Sequence, residues 1–377
     1  MLDRSRVLAR LQDISAKLFI DLGPMHDVAR HVWERVTNDA TFMHKVRSLG
    51  ETPFLIPTWS DNLGDCIVID QQVGPYRVLS VDGSQIYPDR HQGTACFLIN
   101  IGTVVLSYGL EGKAVTLDST PLVYIGEDEE LFEVTPEVIN CRRQELELTT
   151  GLAYSKQFQP DAAAQDAPFV FLIDGSLIFW HLESKNTNLK DTFLSRYLLT
   201  LHQLYQTKTL TAAYISLPKN KELVNLLKLE LCNFNVAQSE LFKDIDCLVD
   251  TSVASFFLEP YSRTIVFKNN SPICAQYPNH LQPYFFYLHV GTEIGRVEVP
   301  AWIAQDAIKV DTVARILIDQ SIKGRGYPVA IAEAHEQAVV KGPDREFFYQ
   351  LICKIGVEQN QRLTMSQKSM KKRGIGV

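Results

Sequence analysis

Two stretches decide the fold: Val81-Asp82-Gly83-Ser84-Gln85-Ile86 and Ile173-Asp174-Gly175-Ser176-Leu177-Ile178. Each follows an apolar run that favours strands, Tyr76, Val78 and Leu79 before the first and Phe169 to Leu172 before the second. An aspartate that closes a buried strand and precedes glycine sits where a turn can aim its carboxylate at a ligand. Taken singly, Asp-Gly-Ser is ordinary turn chemistry. Two such ends on neighbouring strands would crowd two anions, which persists only with a proton, a cation or separation. For an all-oxygen site the usual cation is Mn²⁺ or Mg²⁺.

Residues 1–48 read as helical. Leu8, Leu11, Ile14 and Leu18 recur at helical spacing, as do Met25, Val28, Val32 and Val36 after Gly23-Pro24. Strands are expected at 76–81, 96–101 and 103–108, the first ending at Asp82, with a turn over 88–93. A helix follows from Pro136 to 154, then a polar stretch, 155–168, that reads as a loop. The second Asp-Gly-Ser strand precedes a helix at 189–206, a strand at 212–216 and a helix at 221–232. Strands at 264–268, 284–290 and 295–299 lead to a helix capped by Asp311 and a last helix over 329–341. The segment 232–283 shows no assignable pattern as a whole.

Composition narrows the class. The 377 residues are 46% hydrophobic and 21% charged, as in a globular protein with a sizeable core. No apolar run approaches the roughly 20 residues of a membrane helix, and the first residues lack a secretory pattern. Seven scattered cysteines without a Cys-x-x-Cys pair point away from zinc ribbons and disulfide frameworks. A reducing cytoplasm is the expected compartment. A net charge of −7 argues against coating nucleic acid by bulk charge. It permits a nuclease with an acidic centre, and Lys368, Lys371, Lys372 and Arg373 form a basic tail.

Strand aspartate, two further strands, a helix bearing glutamate and a second strand aspartate are the order of an RNase H-like α/β fold, a mixed central sheet flanked by helices. Such carboxylates can hold divalent cations for phosphodiester hydrolysis. On the helix, Glu145 and Glu147 are two residues apart and point in nearly opposite directions, so only one can face the site. Glu145 is the favoured ligand, and Glu147 suits a surface pair with Arg143. His335 lies among small residues on the last helix, where an imidazole can bind metal or move a proton. Tyr327 precedes it, and packing is the plainer role for both.

In this order, Asp82-Gly83-Ser84, the Arg143-x-Glu145 helix, Asp174-Gly175-Ser176-Leu177, Tyr214-Ile215-Ser216 and Gly326-Tyr327-Pro328 with Ala334-His335 resemble the NurA family of DNA-repair nucleases over roughly residues 50–355. The resemblance implies a manganese-dependent deoxyribonuclease with 5′-to-3′ exonuclease and single-strand endonuclease activity on single- and double-stranded DNA. It also implies a homodimer working with a hexameric HerA-type ATPase. By the same resemblance Asp82, Glu145, Asp174 and His335 hold metal, and Tyr327 sits beside the site. The implied organisation is a helical extension (1–48) for dimer or partner contact, a nuclease domain (49–362) and a basic tail (363–377). The competing readings are a weakly catalytic scaffold that recruits an ATPase, and a nuclease of this fold acting on RNA or an RNA–DNA hybrid.

Overall fold

The computed structural model describes residues 2–15, 18, 21–50, 52–88, 96–125, 134–182 and 187–359. The chain opens with α1 (Arg4–Asp13), α2 (Gly23–Asn38) and α3 (Phe42–Arg47), then β1 (Ile67–Val68), β2 (Tyr76–Ile86), β3 (Phe97–Tyr108) and β4 (Val115–Tyr124). There follow α4 (Pro136–Ala163), β5 (Phe169–Asp174), α5 (Thr187–Gln206), β6 (Leu210–Ile215), α6 (Glu222–Leu231) and α7 (Asp250–Ala254). The last third holds β7 (Ser262–Arg263), β8 (Phe267–Lys268), β9 (Pro283–His289), β10 (Ile294–Pro300), α8 (Ala301–Ala304), α9 (Ala307–Lys323), α10 (Val329–Ala338) and α11 (Gly342–Glu358). The turn expected at 88–93 from residue 89 onward, and the basic tail, lie outside the described residues.

The described strands form one mixed sheet in the order β4-β3-β2-β5-β6-β10-β9-β7-β1, with β8 beside β9. Strands β2, β5 and β6 are parallel and their neighbours antiparallel, so the RNase H-like expectation is met. Period-two alternation splits the parallel strands between two cores. Leu79, Val81 and Phe171 face α4 and α5, while Tyr76, Val78, Val170 and Leu172 face α9 and α10. Burial on both faces explains their near-continuous apolar character.

Several boundaries differ from expectation. The first Asp-Gly-Ser does not end its strand: β2 runs through it to Ile86, with Asp82 paired to Gly102 of β3. The expected break at Gly102 is also absent, because β3 is continuous there. Helix α4 starts where expected, Thr135 accepting from the Val138 amide, but continues through most of the supposed loop. Its polar residues there serve as lateral contacts. Gln159 donates to the Thr207 carbonyl (2.8 Å) and accepts from Thr209 (2.6 Å), and the buried Arg77 donates to the Phe158 carbonyl (2.8 Å). Helix α9 begins earlier than expected, capped by Asp306, whereas Asp311 lies inside it and accepts from Arg263 at 2.9 Å.

The N-terminal stripe is also partly reassigned. Ala29, Val32, Trp33 and Val36 of α2 are buried with Leu223, Leu226 and Leu227 of α6. Their apolar character is thus satisfied within the chain, and Trp33 stacks on Phe257. Leu8, Leu11 and Leu18 remain exposed.

Close approach of α10 to β3 depends on Gly102, where a Cβ would lie 2.3 Å from the Ala338 amide nitrogen and 2.5 Å from the Ala334 carbonyl oxygen. Ser84 and Asn100 clamp the same helix end, both donating to the Ala338 carbonyl, at 2.5 and 2.8 Å. Gly102→Ala is therefore expected to lower unfolding free energy by about 1–3 kcal/mol, the scale of an overpacked contact. Urea unfolding followed by circular dichroism checks this. A wild-type midpoint would show that α10 does not need the close approach.

Candidate active site

The parallel register of β2 and β5, which sets Val81 beside Ile173, delivers Asp82 and Asp174 next to each other at the C-terminal ends of the strands. Both continue the faces of Val78 and Leu172, toward α9 and α10. The two Asp-Gly-Ser copies then part. After Asp174 the chain turns at once, Gly175 taking φ +95°, a conformation glycine adopts without strain. The Gly175 amide donates to the Tyr214 carbonyl at 3.1 Å.

Each aspartate has a partner from the α10 segment. His335 Nδ1 lies 2.8 Å from Asp82 Oδ2, and Asp82 Oδ1 accepts from the Gly83 amide at 2.8 Å. Tyr327 donates its hydroxyl to Asp174 Oδ1 at 3.0 Å, while its ring meets Tyr214 edge-on. His335 and Tyr327 thus serve different aspartates. The His335 side chain is 60% exposed, leaving the far side of its ring open to a substrate.

The helix carboxylate brought to the aspartates is Glu147. Helix α4 lays Arg143, Glu147 and Gly151 along the sheet. A Cβ at Gly83 would lie 2.7 Å from Glu147 Oε1, and one at Gly151 would overlap the Phe171 ring. Glu145, the residue favoured from sequence, points toward α5, its carboxylate pairing with Arg142 of its own helix at 2.8 Å and with Arg196 of α5 at 3.7 Å. The Arg143–Glu147 pair, spaced like a surface pair, is instead turned inward at 2.5 Å. The missed signal was glycine: Gly83 on the strand and Gly151 one turn beyond Glu147 mark the line of closest helix–sheet contact.

Charge is heavily constrained here. Burial pushes the Glu147 carboxyl up to about 8, against the opposing pull of Arg143 and with Asp82 and Asp174 adding to the rise. Burial likewise raises Asp174, the Tyr327 hydrogen bond opposing it and the Asp82 charge reinforcing it. Arg143 partly offsets the cluster, lying 4.0 Å from Asp82 and 3.1 Å from the Gly83 carbonyl. Glu147, Asp174 and Ser176 line a cavity of about 30 Å³, room for a water or a small ion.

Among the described residues no group of three or more His, Cys, Asp or Glu side chains is drawn together tightly enough to hold a metal ion as it stands. The carboxylates are held by Arg143, His335 and Tyr327 instead. The donor chemistry nonetheless fits a hard divalent cation: carboxylate oxygens whose charge is disfavoured by burial and mutual repulsion, around a small cavity.

A pH dependence follows. With its folded pKa near 8 and its unfolded value near 4.5, Glu147 keeps a proton in the folded chain that the unfolded chain releases. Its contribution is complete below the unfolded value and disappears as pH rises through 8. In EDTA, wild-type melting temperature is therefore expected to fall by several degrees more than that of Glu147→Gln between pH 6 and pH 9. Thermal scans at the two pH values check this, and identical slopes would contradict the burial-driven shift.

Comparison with known proteins places this arrangement. The chain matches the family model of the NurA domain over residues 76–340, and no curated protein sequence matches it. Among solved structures it is similar to the NurA nuclease from Sulfolobus solfataricus, with a TM-score of 0.52 and 13% identity, covering 95% of this chain and 98% of that one. A structure of NurA with manganese also matches, with a TM-score of 0.37 and 10% identity, covering 93% of this chain and 98% of that one. At these identities the Sulfolobus likeness speaks to the fold. The family match spans Asp82, Glu147, Asp174, Tyr327 and His335, and on it the chain belongs to the NurA family.

Proposed function

We propose that the chain is a metal-dependent deoxyribonuclease hydrolysing phosphodiester bonds at the C-terminal ends of β2 and β5. The observation that carries this is the pairing of two strand aspartates with a largely buried helix glutamate, the aspartates held by a histidine and a tyrosine of the α10 segment and the glutamate by an arginine of its own helix. Asp82, Asp174 and Glu147 would hold Mn²⁺, or Mg²⁺, which when bound offsets charge on the phosphate and leaving oxygen. Glu147 replaces Glu145 in this role.

The remaining steps belong to the protein. Asp82 orients the His335 ring through Nδ1, so Nε2 is the atom placed to take a proton from the attacking water or return one to the leaving oxygen. Tyr327 fixes Asp174 through its hydroxyl, which gives that hydroxyl a part in the site beyond packing. Arg143, 4.0 Å from Asp82, supplies positive charge beside the cluster for a phosphate backbone. This local charge is compatible with the net −7 of the chain. Action on single- and double-stranded ends with 5′-to-3′ polarity, endonucleolytic cutting of single strands, homodimerisation and work with a HerA-type ATPase extend the proposal by the family resemblance. Exposed Leu8 and Leu11 of α1 are apolar surface available to such a contact.

End-labelled single- and double-stranded DNA, RNA and RNA–DNA hybrid incubated with Mn²⁺, Mg²⁺ or EDTA test the activity. Metal-dependent DNA cutting is the expected result, and preferential cutting of RNA or the hybrid would move the substrate assignment. Asp82→Asn, Asp174→Asn and Glu147→Gln should each remove nearly all cleavage, whereas Glu145→Gln should cost stability more than chemistry. Cleavage by Glu147→Gln at the wild-type rate would remove that residue from the metal set.

His335→Ala is expected to lower the single-turnover rate at saturating DNA by about 10²-fold or more. Tyr327→Phe keeps the ring but loses the bond to Asp174, so it should slow the same step while DNA affinity holds. Parallel binding titrations separate the two effects. An unchanged single-turnover rate in Tyr327→Phe would remove the Tyr327 hydroxyl from the chemistry.

A further inference from the structure

The turn that carries Asp174 is held from a strand two places away in the sheet. Glu298 of β10 accepts from the Ser176 hydroxyl at 2.6 Å and the Leu177 amide at 3.0 Å, both through Oε2. Its other oxygen accepts from Arg296 Nε at 2.9 Å. Ser176 Oγ in turn accepts from the Ile178 amide at 3.0 Å and the Trp180 indole at 3.1 Å. The hydroxyls of Tyr197 and Tyr277 converge on the Leu177 carbonyl at 2.9 and 3.2 Å. The Ser176 hydroxyl and the Leu177 amide and carbonyl thus each meet a side chain from another part of the chain.

Glu298 and Arg296 are 1% and 0% exposed, which makes their presence expensive. Arg296 also binds Glu222 at 3.0 Å and stacks its guanidinium 3.6 Å above the Phe285 ring. One Arg296 nitrogen, Nη2, has no hydrogen-bond partner. An apolar pair of similar volume would pack this layer at lower cost. What an apolar pair cannot do is accept two hydrogen bonds from the Ser176–Leu177 turn. Gly175 leaves the backbone free to take many conformations, so the shape of the turn rests on these contacts, of which Glu298 alone accepts from both the Ser176 hydroxyl and the Leu177 amide.

We propose that Glu298, anchored by Arg296, is a positioning residue for Asp174: it locks the turn after β5 and so sets the direction of that carboxylate toward a divalent cation. This rests on the metal-dependent reading above. Outer residues that orient a ligand typically change metal affinity by 10–100-fold. A glutamine at 298 has one carbonyl for two demands, so it must lose either the turn or Arg296.

The test uses the full chain with two readouts that need no DNA. Hydrogen exchange at the Leu177 amide is measured in EDTA, and Mn²⁺ alone is titrated by calorimetry. Glu298→Gln should speed Leu177 exchange at least tenfold before metal is added and weaken Mn²⁺ binding about tenfold. Ser176→Ala leaves the Arg296 network intact and should shift both in the same direction, which keeps the proposal testable if Glu298→Gln does not fold. Wild-type exchange and wild-type Mn²⁺ affinity in Ser176→Ala would overturn the positioning role while leaving the metal site standing. A wild-type chain that takes up no Mn²⁺ would overturn the metal reading and this inference with it.

Discussion

The structure turns on one electrostatic conflict: three carboxylates, Asp82, Asp174 and Glu147, brought within each other's field at the ends of two parallel strands. Burial and mutual repulsion both disfavour their charged forms. The fold surrounds them with donors rather than separating them. Arg143 answers Glu147, His335 answers Asp82, and Tyr327 answers Asp174. Arg143 comes from α4 on one face of the sheet, and His335 and Tyr327 from α10 and the turn before it on the other. The site therefore depends on both helical layers being in register with the strand ends: displacing the α10 segment leaves both aspartates without their partners, and displacing α4 takes Glu147 and Arg143 away from them together.

Much of this was legible in the sequence. Apolar runs before Asp82 and Asp174 located the parallel strands because both faces of those strands are buried. The aspartates, His335 and Tyr327 are brought together as their order in the chain suggested. The glutamate was not legible, for a definite reason. Glu145 falls on the buried stripe of α4 with Cys141, Leu148 and Leu152, so periodicity favoured it. Two arginines, one of them on α5, make that burial possible. Charge pairing of this kind depends on a neighbouring helix that local spacing does not reveal.

The twin motifs carry a similar lesson. Asp-Gly-Ser at 82–84 and at 174–176 are identical in sequence yet one stays in a strand and the other turns. The first is paired residue by residue with β3 through Ile86, so its glycine is held extended. The second meets no comparable partner beyond Asp174, and Glu298 captures its serine instead. Tertiary partners, not the tripeptide, choose the conformation. Strand β10 lies more than a hundred residues downstream, which is why no reading of the motif itself could distinguish the copies.

Glycine supplies the remaining constraint. Gly83 lets Glu147 and Arg143 approach β2 from the α4 side, Gly151 lets that helix settle on Phe171, and Gly102 lets α10 settle on β3 from the other side. At each position a Cβ would fall closer than any ordinary contact to a neighbouring group. None of these three has positive φ, so their role is room rather than backbone freedom. Asp82 sits between two of them, beside Gly83 in its own strand and across from Gly102 in β3. Helices can therefore close on the same strand end from both faces, and side chains as short as aspartate and glutamate can share one field. A sheet edge with ordinary side chains at these positions would hold both helices off, and the carboxylates would return to solvent as unrelated charges.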